Sequence, residues 1–265
     1  MLHSKRQRIT VALAIALITA GALTAVRQPS PAHEAGAALV VWPQVHNPKP
    51  SLLYEVREIH DPNGTGRFYM GREIAQVMGA GGIDWLDRPE RQEEEHPEVV
   101  IDALGLHDGD VVADLGAGSG YFTFRMAAKV GKKGRVLAVE IQDEMLETLR
   151  RRAAALGVTN VEEVKDAETD PHLPVRGVDR VLMVDVYHEL AYPFEVMTKV
   201  REALKPGGRV VFVEYRKEDP HVPIKEVHKM SVEQLTKEMN ALGLERAQTV
   251  ELLPWQHIVI FEQHR

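Results

Sequence analysis

The stretch DLGAGSGYF, Asp114 to Phe122, sets three glycines within five residues directly after an apolar run. Glycine loses more conformational freedom on folding than any other residue, so such a cluster marks a forced turn or a close approach to the main chain. The run before it, VVADL from Val111, is short and β-branched, and Ser119 to Lys129 after it reads as a helix. Strand, glycine turn, helix is the local reading.

The same alternation continues toward the C-terminus. RVLAVE (Arg135 to Glu140) reads as a second strand, and QDEMLETLRRRAAALG as a helix closed by Gly157, with Met145, Leu149 and Ala153 on one face. VEEVK (Val161 to Lys165) and VDRVLMVDV (Val178 to Val186) read as the third and fourth strands. Pro193 to Leu204 is a helix stopped by Pro206-Gly207-Gly208, and RVVFVEY is the fifth strand. A helix from Ser231 to Leu242 opens with a Ser231–Gln234 capping box. ERAQTVELL and HIVIFEQ, joined around Pro254, read as a terminal hairpin. Strands alternating with helices predict an α/β, doubly wound, mostly parallel sheet covered on both faces, with the hairpin as an antiparallel edge.

Upstream, Lys5, Arg6 and Arg8 precede eighteen uncharged residues, Ile9 to Val26, in a chain of 265. That pattern fits an export signal, with an A-x-A site at Ala20-Gly21-Ala22, and it fits an uncleaved membrane tether near the lower length limit for a spanning helix. Either way the domain is expected to be exported, periplasmic or extracellular, or membrane-anchored. Residues 1–32 are assigned to that segment, and residues 33–104 to a linker and a helix-rich extension with a turn at Asp61-Pro62-Asn63-Gly64. Within it Pro89 to Leu104 reads as one helix, and Glu93-Glu94-Glu95 as its solvated face. The net charge of −7 argues against a nucleic-acid partner. The absence of cysteine excludes disulfides, thiolate metal sites and cysteine nucleophiles.

In a doubly wound sheet, ligands lie beyond the carboxyl ends of the strands where strand order reverses. The dinucleotide fingerprint G-x-G-x-x-G places Tyr121 where its third glycine should be, which weakens a dehydrogenase reading. The spacing present is G-x-G-x-G, with Asp114 two residues ahead of Gly116. Together with LKPGGRVVFVE along the fifth strand, this resembles the class I S-adenosylmethionine-dependent methyltransferases over about Val111 to Glu262. The resemblance implies a seven-stranded Rossmann-like sheet, a methyltransferase domain over residues 105–265 and S-adenosylmethionine as cofactor.

It also implies roles for particular residues. Gly116, Gly118 and Gly120 would leave the main chain open to the cofactor. Glu140 would accept both ribose hydroxyls, and Asp114 would hold the loop amides or, through water, the methionine ammonium. Asp166 would accept the adenine amino proton and Ala167 offer its amide, while Asp185, near the end of the fourth strand, would also contact the cofactor. The acceptor is expected beyond that strand, at DVYHEL, with His188 as base, Tyr187 as a wall and Glu189 able to orient the imidazole. His221, His228 and His257 could converge with His188 and Glu189 on a metal, but they match no ligand spacing and no metal is expected.

Trp85 in the extension is a candidate lid residue. The expected function is methyl transfer to a small-molecule acceptor. A protein acceptor, as in the similar protein-isoaspartate methyltransferases, and a non-catalytic S-adenosylmethionine-binding protein are the alternatives. Arsenic-type methyltransferases rely on cysteines that this chain lacks.

Overall fold

The computed structural model describes residues 53–263. The apolar segment 9–26 and the linker through residue 50 lie outside the described residues. Among those described, no helix is long and apolar enough to cross a membrane.

The main sheet follows the expected plan. Strands β4 (Val111–Leu115), β5 (Arg135–Glu140), β6 (Val161–Lys165), β7 (Val178–Val184) and β8 (Leu204–Arg216) run parallel, and β10 (Leu244–Val250) and β11 (Gln256–Gln263) form the antiparallel hairpin. The spatial order is β6-β5-β4-β7-β8-β11-β10, with the two-residue β9 (Lys229–Met230) beside the end of β8. Strand order reverses between β4 and β7, which makes their carboxyl ends the switch point.

Because side chains alternate along a strand, the sheet builds two cores. Ala113, Leu115, Val181, Met183, Phe212 and Phe261 face one side, covered by α6 (Pro193–Ala203) and α7 (Val232–Asn240). Val112, Val136, Leu182, Val211 and Ile260 face the other, covered by α3 (Pro97–Leu104) and α4 (Thr123–Val130). Helix α5 (Asp143–Leu156) lays Leu149 against Ala138. Ser231 caps α7 by accepting from the Gln234 amide at 3.1 Å, as expected. Helix α4 begins at Thr123 rather than Ser119, because the left-handed glycine turn runs on to Gly120 (φ +92°).

The extension departs from its expected helical character. It is a three-stranded antiparallel sheet, β1 (Tyr54–Val56), β2 (Gly64–Tyr69) and β3 (Arg72–Ala75), followed by short helices α1 (Ile83–Leu86) and α2 (Arg91–Glu95). Met70-Gly71 makes the β2–β3 turn with positive φ at both residues, the geometry of a two-residue hairpin, but the methionine hides the usual Asn-Gly signature. The turn at Asp61 to Gly64 is present, closed by the Gly64 amide on the Asp61 carbonyl at 2.9 Å. The expected helix from Pro89 breaks at His96 (φ +44°), since Pro97 excludes helical geometry from the residue before it. Glu95 is not on a solvated face: it is 3% exposed and bonded to Arg91 at 2.7 Å and Arg88 at 3.0 Å.

A buried ion pair locks the extension to the main sheet. Arg72 of β3 donates twice to Glu238 of α7, at 2.9 and 3.1 Å, and once to the His188 carbonyl at 3.2 Å. Removing one partner strands the other charge in a dry site, which costs about 3–5 kcal/mol. Glu238→Ala is therefore expected to lower urea-unfolding stability by that amount, whereas Glu55→Ala, from the exposed pair with Arg57, should leave the midpoint nearly unchanged.

Candidate active site

A cavity of about 690 Å³ opens at the carboxyl ends of β4, β5 and β7, within the size range of small-ligand sites. Gly116 and Gly118 form its floor. Gly116 (φ +76°) lets the loop pass Val186, whose methyl group would lie 2.4 Å from an added Cβ. Gly120 does not line the cavity: it faces the Phe124 ring, so its role is to seat α4 against the loop. Of its two expected roles, Asp114 does not take the first. Its carboxylate accepts from the Thr123 hydroxyl and amide at the start of α4 rather than from the glycine-loop amides.

One end of the cavity carries two acids, Glu140 and Asp166. Glu140 accepts from the Gly118 amide at 2.9 Å and from the Ile141 and Gln142 amides at 2.8 and 2.9 Å, which fixes its carboxylate at the cavity wall. Asp166 lies beside it, with a buried Oδ1 that has no hydrogen-bond partner among the described residues. Burial pushes its pKa up to about 6. The Ala167 amide is not free for a ligand: it donates to the Asp170 carbonyl at 3.1 Å and to the Asp166 side chain.

The other end is built by the turn after β7. Asp185 adopts a left-handed backbone (φ +55°), uncommon for a residue with a side chain. Its Oδ2 accepts from Gln256 at 2.7 Å, and its Oδ1 is buried without a partner among the described residues. Burial, with the charges of Glu95 and Glu214, raises its pKa well above the usual carboxylate range.

Tyr187 and His188 then diverge. Tyr187 is fully buried, donates to Glu238 at 2.6 Å and does not line the cavity, so it is neither a wall nor a catalytic group. His188 does line it, with Nδ1 2.6 Å from Glu214 Oε2 and Nε2 3.1 Å from His228 Nδ1. Burial alone would lower the His188 pKa, but the charge and hydrogen bond of Glu214 outweigh it and hold the pKa above its ordinary value.

Glu214 is thus the residue that orients His188, not Glu189, whose Oε1 stands 3.9 Å from Nε2. Its one sequence signal is an acid inside the apolar strand RVVFVEY. Of His221, His228 and His257, only His228 joins the cluster. His221 is exposed, and His257, buried on β11, lies outside the cavity lining.

The extension covers both ends. The Met78 amide donates to Glu189 Oε2 at 3.3 Å, and its carbonyl accepts from Gln142 at 3.0 Å. Trp85, the candidate lid residue, stands at the cavity rim, half exposed, with the Arg88 guanidinium 3.7 Å above its ring. Leu86 and Arg91 complete this wall.

The strand order, the antiparallel hairpin edge and the acid-lined cavity at the switch point define a class I S-adenosylmethionine-dependent methyltransferase domain. The model of the methyltransferase-domain family matches residues 106–259, more than half the chain, and the chain belongs to that family. It is 33% identical over 119 residues to the ubiquinone/menaquinone biosynthesis C-methyltransferase of an Enterobacter species, covering 44% of this chain and 47% of that one. A 37.1 kDa protein of a Streptomyces fradiae transposon is 34% identical over 119 residues, covering 45% of this chain and 34% of its own length. The chain therefore spans less than half the length of these curated relatives. A crystal structure of an S-adenosylmethionine-dependent methyltransferase from Aquifex aeolicus matches with a TM-score of 0.66 and 28% identity, over 70% of this chain and 98% of that one.

The residues present fit that cofactor. Gly118 leaves the floor open, Glu140 presents a fixed carboxylate, and the unpartnered Asp166 Oδ1 is a buried acceptor that a ligand amino group would satisfy.

Burial also pushes the Asp114 carboxyl up to about 6. A folded-state pKa raised above the unfolded value near 3.8 means the native chain binds the proton more tightly, so its stability falls as pH rises through that window. The gap in unfolding free energy between wild type and Asp114→Asn should therefore shift toward wild type by on the order of 2–3 kcal/mol between pH 7 and pH 4. Denaturant titrations at several pH values would read this, and a pH-independent gap would contradict the burial argument.

Proposed function

We propose that this protein transfers a methyl group from S-adenosylmethionine to a small-molecule acceptor held between Asp185 and His188. S-adenosylmethionine supplies a methyl group already activated by its sulfonium. The protein's task is then to align the acceptor, exclude water and manage the acceptor's proton. The observation that carries the reading is the division of one cavity into two chemically distinct ends, Glu140 and Asp166 at one, His188, Glu189 and His228 at the other.

Each residue has a task that follows from its surroundings. Glu140 and Asp166 would hold the nucleoside through its hydroxyl and amino groups. Asp185, in its left-handed turn, separates that end from the acceptor. Glu214 accepts the Nδ1 proton of His188 and so leaves Nε2 as the atom that acts toward the acceptor. Met78, tied to Gln142 on one side and Glu189 on the other, draws the segment between β3 and α1 across the cavity. That cover supports a small acceptor over a polypeptide. The charge pattern around residues 9–26 supports export or membrane tethering of the domain.

Calorimetric titration with S-adenosylmethionine tests the cofactor end. Wild type should bind, and Glu140→Ala should lose about ten- to a hundredfold in affinity, the worth of hydrogen bonds to a charged group. His188→Ala should keep cofactor affinity within about twofold while losing turnover in an acceptor screen, on the order of a hundredfold or more for a group positioned to act on the acceptor. A folded wild-type chain that binds no cofactor would overturn the reading.

A further inference from the structure

At the acceptor end, three potential ligand atoms meet, two from the turn after β7 and one from the segment before β9. His188 Nε2 and His228 Nδ1 are 3.1 Å apart, His228 Nδ1 and Glu189 Oε1 3.5 Å, and His188 Nε2 and Glu189 Oε1 3.9 Å. A circle through these three atoms has a radius of about 2 Å, the length of a bond from imidazole nitrogen or carboxylate oxygen to a divalent transition metal. From the spacing of these atoms we infer that His188, Glu189 and His228 form a binding site for one divalent transition-metal ion, open on the side of the acceptor.

The surroundings of the three ligands have the character of a metal site's outer shell. A metal-bound histidine usually donates its other ring N–H to a carboxylate, which fixes the tautomer and makes the ligating nitrogen more basic. His188 does this toward Glu214, which is fully buried and is held in place by the Tyr187 amide at 3.0 Å. Glu189 is fixed in the same way: its Oε2 accepts from the Met78 amide, leaving Oε1 turned to the histidines.

Two imidazoles and one carboxylate suit zinc, cobalt, nickel or iron rather than magnesium or calcium, which take all-oxygen ligand sets. Three protein ligands leave at least one position free, the arrangement of catalytic rather than structural sites. All three residues line the cavity, so that free position faces the acceptor.

The site narrows the acceptor class. Resting on the methyltransferase reading above, it calls for an acceptor with an ionisable oxygen, such as a phenol or an enol, able to approach a cation. A bound cation lowers the pKa of such an oxygen, so that its proton passes to water and the oxyanion takes the methyl group as the sulfonium C–S bond breaks, leaving S-adenosylhomocysteine. On that account the His188 nitrogen serves as a ligand, not as the base expected from the sequence.

The test uses the untagged, chelator-treated chain. Titration with Co²⁺ should give one equivalent bound, with visible absorption bands of a low-symmetry, four- or five-coordinate ion, and Zn²⁺ should displace it. Glu189→Gln and His228→Ala should each weaken the site by at least a hundredfold, whereas His221→Ala, at an exposed histidine outside the cluster, should leave it unchanged. A wild-type chain that stays folded and takes up no ion, or binding undiminished in His228→Ala, would overturn the site. The same samples titrated with S-adenosylmethionine keep the two readings apart. Cofactor binding without metal binding refutes only the metal site, and metal binding without cofactor binding refutes only the methyltransferase reading.

Discussion

The end of the cavity built by the turn after β7 is organised around one buried carboxylate, Glu214. It sits fully buried in β8, where an uncompensated charge is costly unless hydrogen bonds satisfy it. It finds them in the Tyr187 amide and the His188 imidazole, one on each oxygen. That demand draws the turn after β7 down onto the neighbouring strand. It also places consecutive side chains on opposite tasks: Tyr187 inward as an anchor, His188 toward the cavity.

The extension is coupled to this turn through a second polar network. Arg72 bridges Glu238 and the His188 carbonyl, while Glu238 also accepts from Tyr187. A strand outside the methyltransferase-domain match thus helps set the position of the acceptor-side histidine. Met78 makes a comparable link nearer the surface, with one hydrogen bond to each end of the cavity. The extension thus both holds the turn that carries His188, through Arg72, and covers the cavity, through Met78.

How much of this was legible beforehand follows from the range of the interactions. Strand and helix periods are local, so the sheet, its hairpin edge and the glycine turn could be read from VVADL, RVLAVE and their neighbours. The acids Glu140 and Asp166 could be placed because one ends a strand and the other directly follows one. The three-stranded extension is hidden in the sequence because its turn is Met70-Gly71, and the break at His96 because Pro89 reads as a helix start while Pro97, eight residues on, acts as a stop. The convergence of Glu214 and His228 on His188 is out of reach of local reading: these residues lie 26 and 40 positions away, brought in by the pairing of β8 with β7 and of β9 with β8. Tyr187 shows the converse limit, since neighbours in a turn look alike in sequence until packing decides which one faces inward.

The most direct test of the account is a crystal structure of the chain with S-adenosylhomocysteine bound. The ribose is predicted on Glu140, the adenine amino group on Asp166, and the sulfur directed past Asp185 toward the His188 end. A nucleoside lying instead against His188 and His228, or a ligand outside the switch-point cavity, would contradict the division of the cavity on which the account rests.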